Sequence, residues 1–68
     1  MNVTKLMYAV RKTLRNGAKE YFNFQKDTTV DELEAGCLVD DFGIVNEIEE
    51  NDSTWEAIMV TVKVDKND

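Results

Sequence analysis

The segment Arg15-Asn16-Gly17 constrains this chain more than any other, because it separates two runs of alternating side chains. A three-residue hairpin loop places its third residue in the left-handed region, where glycine carries no Cβ penalty. Upstream, Leu6, Tyr8, Val10 and Leu14 share the face of a half-buried strand. The loop then fixes the register. On one face it sets Leu14 opposite Ala18, Lys12 opposite Glu20, Val10 opposite Phe22 and Tyr8 opposite Phe24. On the other it sets Thr13 opposite Lys19, Arg11 opposite Tyr21, Ala9 opposite Asn23 and Met7 opposite Gln25. The first set joins opposite charges at Lys12 and Glu20 and apolar residues to aromatic ones. A two-residue Asn-Gly loop would shift the pairing by one, set Val10 against Asn23 and Arg11 against Phe22, and mix the faces. A hairpin is therefore expected over residues 3–25. Its rival is a helical stripe of Leu6, Val10 and Leu14 stopped by Gly17, which leaves the position of Tyr8 unexplained.

Downstream, Thr29-Val30-Asp31-Glu32 has the form of a capping box, and Gly36 follows as a stop. One helical turn is expected over 30–35. Strands are expected over 37–39, 43–49 and 54–64, separated by the turn-forming segments 40–43 and 50–53. The last strand is the clearest: Ile58, Val60, Val62 and Val64 alternate with Ala57, Met59, Thr61 and Lys63, and Trp55 opens it on the second face. A competing helix over 30–50 would use Val30, Leu33, Cys37, Ile44 and Ile48. It would enclose Gly36 and Gly43, each costing about 1 kcal/mol relative to alanine. It would also put Asp40 or Asp41 on its buried stripe.

The run from Leu33 to Ile48, with Leu33-Glu34-Ala35-Gly36 leading into Cys37-Leu38-Val39 and Asp40-Asp41-Phe42-Gly43 leading into Ile44-Val45, resembles small SH3-like barrel modules. The resemblance implies a small barrel and carries no functional residues with it. The expected fold is mostly β: an SH3-like barrel, or a strongly twisted antiparallel sheet of about five strands, with one short helical turn. The alternative is an α+β fold of β-β-α-β order.

Sixty-eight residues, 43% of them apolar, fit a single domain over residues 1–68. No apolar run reaches the roughly 20 residues of a membrane span. The chain has no histidine and no proline. The commonest general base and metal ligand is thus absent. Cys37 is the one cysteine. Its apolar neighbours Leu38 and Val39 favour a buried structural thiol in a reducing cytoplasm over a nucleophile. Asp40 and Asp41 lack the spacing of a calcium loop, so no metal and no cofactor is expected.

Charge is split along the chain. Residues 1–26 hold six basic residues against Glu20, whereas residues 27–68 hold thirteen carboxylates against Lys63 and Lys66. Three partner-binding surfaces follow. Asp40, Asp41, Glu47, Glu49, Glu50 and Asp52, with Glu56, gather around two expected loops and suit a basic partner. Trp55 and Met59 suit an apolar interface. Lys5, Arg11, Arg15, Lys19 and Tyr21 on the outer hairpin face suit phosphates and a stacked base. The leading expectation is a non-catalytic protein-interaction domain that meets a basic partner through its acidic loops, by analogy with tiny acidic phage inhibitors of nucleic-acid enzymes. The alternative is a nucleic-acid-binding module, which the net charge of −6 disfavours. The unprotected edges of a small β domain also point to homodimerisation.

Overall fold

The computed structural model describes residues 2–65 and shows a four-stranded antiparallel sheet with one helix. The strands are β1 (Asn2–Thr13), β2 (Lys19–Asn23), β3 (Thr28–Val30) and β4 (Trp55–Asp65), in the order β3-β2-β1-β4. A 3-10 turn (Ala35–Cys37) and the helix α1 (Phe42–Asn51) lie between β3 and β4. The expectation of a mostly β chain built on an antiparallel sheet holds, with four strands and an open sheet.

The hairpin forms in the expected register: Arg11 pairs with Tyr21, Lys12 with Glu20 and Thr13 with Lys19. Leu14 donates its amide to the Ala18 carbonyl at 2.8 Å, and Gly17 takes a φ of +86°. Beyond Tyr21 the ladder parts. Tyr8 exchanges both backbone hydrogen bonds with Val39, at 2.7 and 2.9 Å, so the expected pairing of Tyr8 with Phe24 is replaced. Phe24 donates instead to the Gly36 carbonyl. Residues 36–39 thereby wedge between β1 and the end of β2.

Asn23 braces the chain where the strands part. It is 2% exposed, and its Oδ1 accepts from the amides of Gln25 and Lys26 while its Nδ2 donates to Glu34. Such a side chain mimics a backbone turn and redirects the chain. Asp27, at φ 55°, completes the reversal, and β3 pairs back on β2 with Phe22 opposite Thr29. Thr29 is therefore a strand residue and does not cap a helical turn. The expected turn over 30–35 is absent; its place is taken by the 3-10 turn a few residues later.

The expected strand over 43–49 is a helix. Asp41 is its N-cap, accepting from the Gly43 amide at 2.9 Å. The two objections to a helix lapse with this start point. Gly36, Asp40 and Asp41 lie outside it, and Gly43 falls in the first turn, where it donates to the cap. The competing helix was right about its second half. Val45, Ile48 and Phe42 turn toward the sheet: Val45 is fully buried, and the Phe42 ring meets Tyr8 edge-on at 5.3 Å.

β4 occupies its expected place and pairs with β1 along its whole length, from Asn2 opposite Asp65 to Lys12 opposite Trp55. Paired residues share a face. One face carries Tyr8, Val10, Phe22, Trp55 and Ala57, and α1 covers it. Val10 and Cys37 are fully buried. Phe22 meets Phe24 and Trp55 edge-on at 5.1 and 6.4 Å. The ammonium of Lys12 sits 4.5 Å above the Trp55 ring, in place of the expected ion pair with Glu20. The opposite face carries Val3, Lys5, Met7, Ala9 and Arg11 from β1, Glu56, Ile58, Val60, Val62 and Val64 from β4, Tyr21 and Val30.

Candidate interaction surfaces

The sheet divides the charged residues into two populations. Arg11, Lys19, Tyr21 and Lys5 project from the face opposite α1, as the hairpin register requires, and Arg15 is exposed at the loop tip. Lys19 donates to the Thr13 hydroxyl at 2.7 Å. Arg11 pairs with Glu56 at 2.9 Å, which raises the guanidinium above its ordinary value. Between these cations the centre of the face is apolar. Met7, Ile58, Val60 and Val62 are half-buried, although no helix lies against them among the described residues.

The acidic set does not form one free cluster. Asp41 caps α1. Asp52 accepts from the Thr54 amide and hydroxyl, at 3.0 and 2.6 Å, and Thr54 holds its carboxyl below the ordinary value. Glu49 accepts from the Ala57 amide at 2.8 Å, and Glu50 from the Asn46 amide nitrogen at 3.3 Å. Glu56 lies across the sheet, bound to Arg11. Asp40 and Glu47 are exposed. Several of these carboxylates thus also act as caps and braces, while all but Glu49 stay exposed.

Trp55 and Met59 share a strand face but not an environment. Trp55 lines a small apolar cleft of about 230 Å³ with Val10, Phe22 and Ile48. Met59 is 70% exposed. The cleft is smaller than the roughly 300 Å³ of small-molecule sites and is lined almost wholly by apolar atoms. Cys37 is fully buried, out of reach of a substrate. No group of three or more His, Cys, Asp or Glu side chains is placed to hold a metal ion among the described residues.

Asn23 and Glu34 are the polar residues that sequence reasoning missed. The only available signal was an asparagine set among Tyr21, Phe22 and Phe24. The Glu34 carboxyl, held first by Asn23 and then by Lys26 at 3.2 Å, lies below its ordinary value of 4.5. A depressed carboxyl stabilises the fold fully above its unfolded value and loses that contribution as pH falls through the folded one. Glu34→Gln is therefore expected to lower the urea midpoint at neutral pH. The gap from the parent should close as pH falls below 4.5 and on through the lowered folded value, where the parent carboxyl also protonates. Urea titrations at a series of pH values check this, and a gap that widens in acid contradicts it.

Comparison with protein-family models, with curated proteins and with solved structures finds no match to this chain.

Proposed function

We propose that the chain is a non-catalytic protein-interaction domain, and that it receives its partner on the sheet face opposite α1. The observation that carries this reading is an apolar centre of Met7, Ile58, Val60 and Val62 flanked by Lys5, Lys19 and the Arg11–Glu56 pair. An apolar core inside a polar rim is the anatomy of a protein interface. The rim selects a partner whose apolar contact is bordered by carboxylates. In the acidic loops Asp41, Glu49, Glu50 and Asp52 are tied to donors within the fold, which restricts how they could rearrange around a basic partner. The apolar centre likewise favours a protein over a nucleic acid, whose phosphates and bases would meet one aromatic and a row of valines.

Titration with a synthetic acidic amphipathic strand peptide, alternating glutamate and valine, tests the reading by amide shift mapping. Shifts are expected at Met7, Arg11, Val60 and Val62. The double variant Lys5→Glu/Lys19→Glu should weaken binding about tenfold, about 1.4 kcal/mol across two rim charges. Glu47→Lys on α1 should not weaken it. Shifts confined to α1, or equal affinity for all three proteins, would contradict the assignment. So would tighter binding to a single-stranded oligonucleotide than to the peptide.

A further inference from the structure

β4 is an edge strand with one side paired to β1. Its free backbone groups can be identified from their neighbours. Tyr8 directs both its N–H and its C=O to Val39, away from β4, so Tyr8 and Met59 form a pair without mutual hydrogen bonds. The groups of Met59 therefore point outward. By the two-residue period of a strand, so do those of Ala57, Thr61 and Lys63. Ala57 confirms the phase, because its outward N–H donates to the Glu49 carboxylate on α1. Among the described residues nothing pairs with the outward groups of Met59, Thr61 and Lys63. The helix closes the edge at Ala57 and leaves it open from there to Asp65, a stretch whose midpoint is Thr61.

We propose that two copies of the chain pair antiparallel through this stretch of β4, about a two-fold axis at Thr61. Thr61 then exchanges both hydrogen bonds with Thr61 of the second copy, and Met59 does so with Lys63. The intervening neighbours are Val60 opposite Val62 on the apolar face. Every pair is compatible: threonine faces threonine, valine faces valine, and the lysine meets a methionine instead of its own copy. The pairing ends where Glu49 holds Ala57, so no existing hydrogen bond is broken. A two-fold contact also closes on itself, unlike pairing of β4 with the open part of β1, which would propagate into a fibre. The product is one continuous eight-stranded sheet whose apolar faces adjoin through Val60 and Val62. This pairing uses the strand edge and stands independently of what binds the face.

Sedimentation equilibrium of the full chain, from low to high micromolar concentration, tests the proposal. The mass should rise toward twice that of one chain. Thr61→Pro should remain monomeric at every concentration. Its missing N–H is an outward one, so the β1–β4 ladder is left whole. Thr61→Lys, which puts two like charges at the axis, should also be monomeric with an unchanged circular dichroism spectrum. In the dimer of the parent chain, the amides of Met59, Thr61 and Lys63 should exchange more slowly with solvent than in the dilute monomer. A parent chain that stays monomeric throughout overturns the proposal. So does a dimer that survives both substitutions, or one in which those three amides gain no protection.

Discussion

Gly36→Ala is expected to destabilise the fold by about 2–4 kcal/mol, a large share of the stability of so small a domain. The residue is buried, and a Cβ there would fall 2.9 Å from both Cγ and Nδ2 of Asn23 and still closer to its Oδ1. Asn23 cannot withdraw cheaply. Its amide already holds the turn amides of Gln25 and Lys26 and the Glu34 carboxylate. Removing a buried polar partner leaves the others unsatisfied, at about 1–3 kcal/mol. Asn23→Ala alone should therefore also cost on the order of 3 kcal/mol. The double variant decides the mechanism. With the Asn23 side chain gone, the alanine at 36 has room, and the second substitution should add about 1 kcal/mol or less. Urea denaturation of the four proteins gives the cycle. Full additivity would show that Gly36 is required for some reason other than its closeness to Asn23.

Trp55→Ala should cost about 3 kcal/mol, toward the lower end for tryptophan truncation because part of the ring is accessible. The loss combines the apolar contact with Val10, Phe22 and Ile48 and the edge-on contact with Phe22 at 6.4 Å. It also removes the surface under the Lys12 ammonium. Aromatic and cation–π contacts contribute about 1 kcal/mol each beyond burial. Trp55→Phe keeps the aromatic plane and should cost about half as much. Thermal melts followed by circular dichroism check both, since the substitution removes the only tryptophan. A loss under about 1 kcal/mol for the alanine variant would mean that the ring lies on the core without helping to form it.

The hairpin and the last strand were legible because their signals are local. Gly17 fixes a loop, the loop fixes a register, and side-chain alternation confirms it. The basic face followed from that register. The region between Asn23 and Asp52 was not legible, because its structure is decided by contacts remote in sequence. Thr29 and Glu32 carry the pattern of a helix start, yet Thr29 is drawn into a strand by pairing with Phe22. Asp41 was visible as a turn residue, but whether Phe42-Gly43-Ile44-Val45 coils or extends depends on Val45 and Phe42 meeting the sheet. Propensity is a weak prior there, and tertiary packing overrides it. The structural duties of the acidic residues were hidden for the same reason. Capping and bracing by Asp41, Asp52 and Glu49 require a helix and an adjacent strand edge that the sequence did not place. Exposure of the apolar face follows only from knowing that the one helix among the described residues covers the other side of the sheet.

The ladder between β1 and β4 has a kinetic consequence. β1 can fold against β2 through a short local loop, and that step is fast. Its other side must wait for β4, which lies 43 residues further on at Lys12's own partner, Trp55, and 63 further on at Asn2's, Asp65. Contacts of such long sequence separation slow folding, because the chain loses its freedom before the ladder rewards it. During synthesis the inner flank of β1 therefore stays bare until the last strand arrives. In that interval one whole side of β1 lies open to other chains, and susceptibility to aggregation is greatest before β4 is in place.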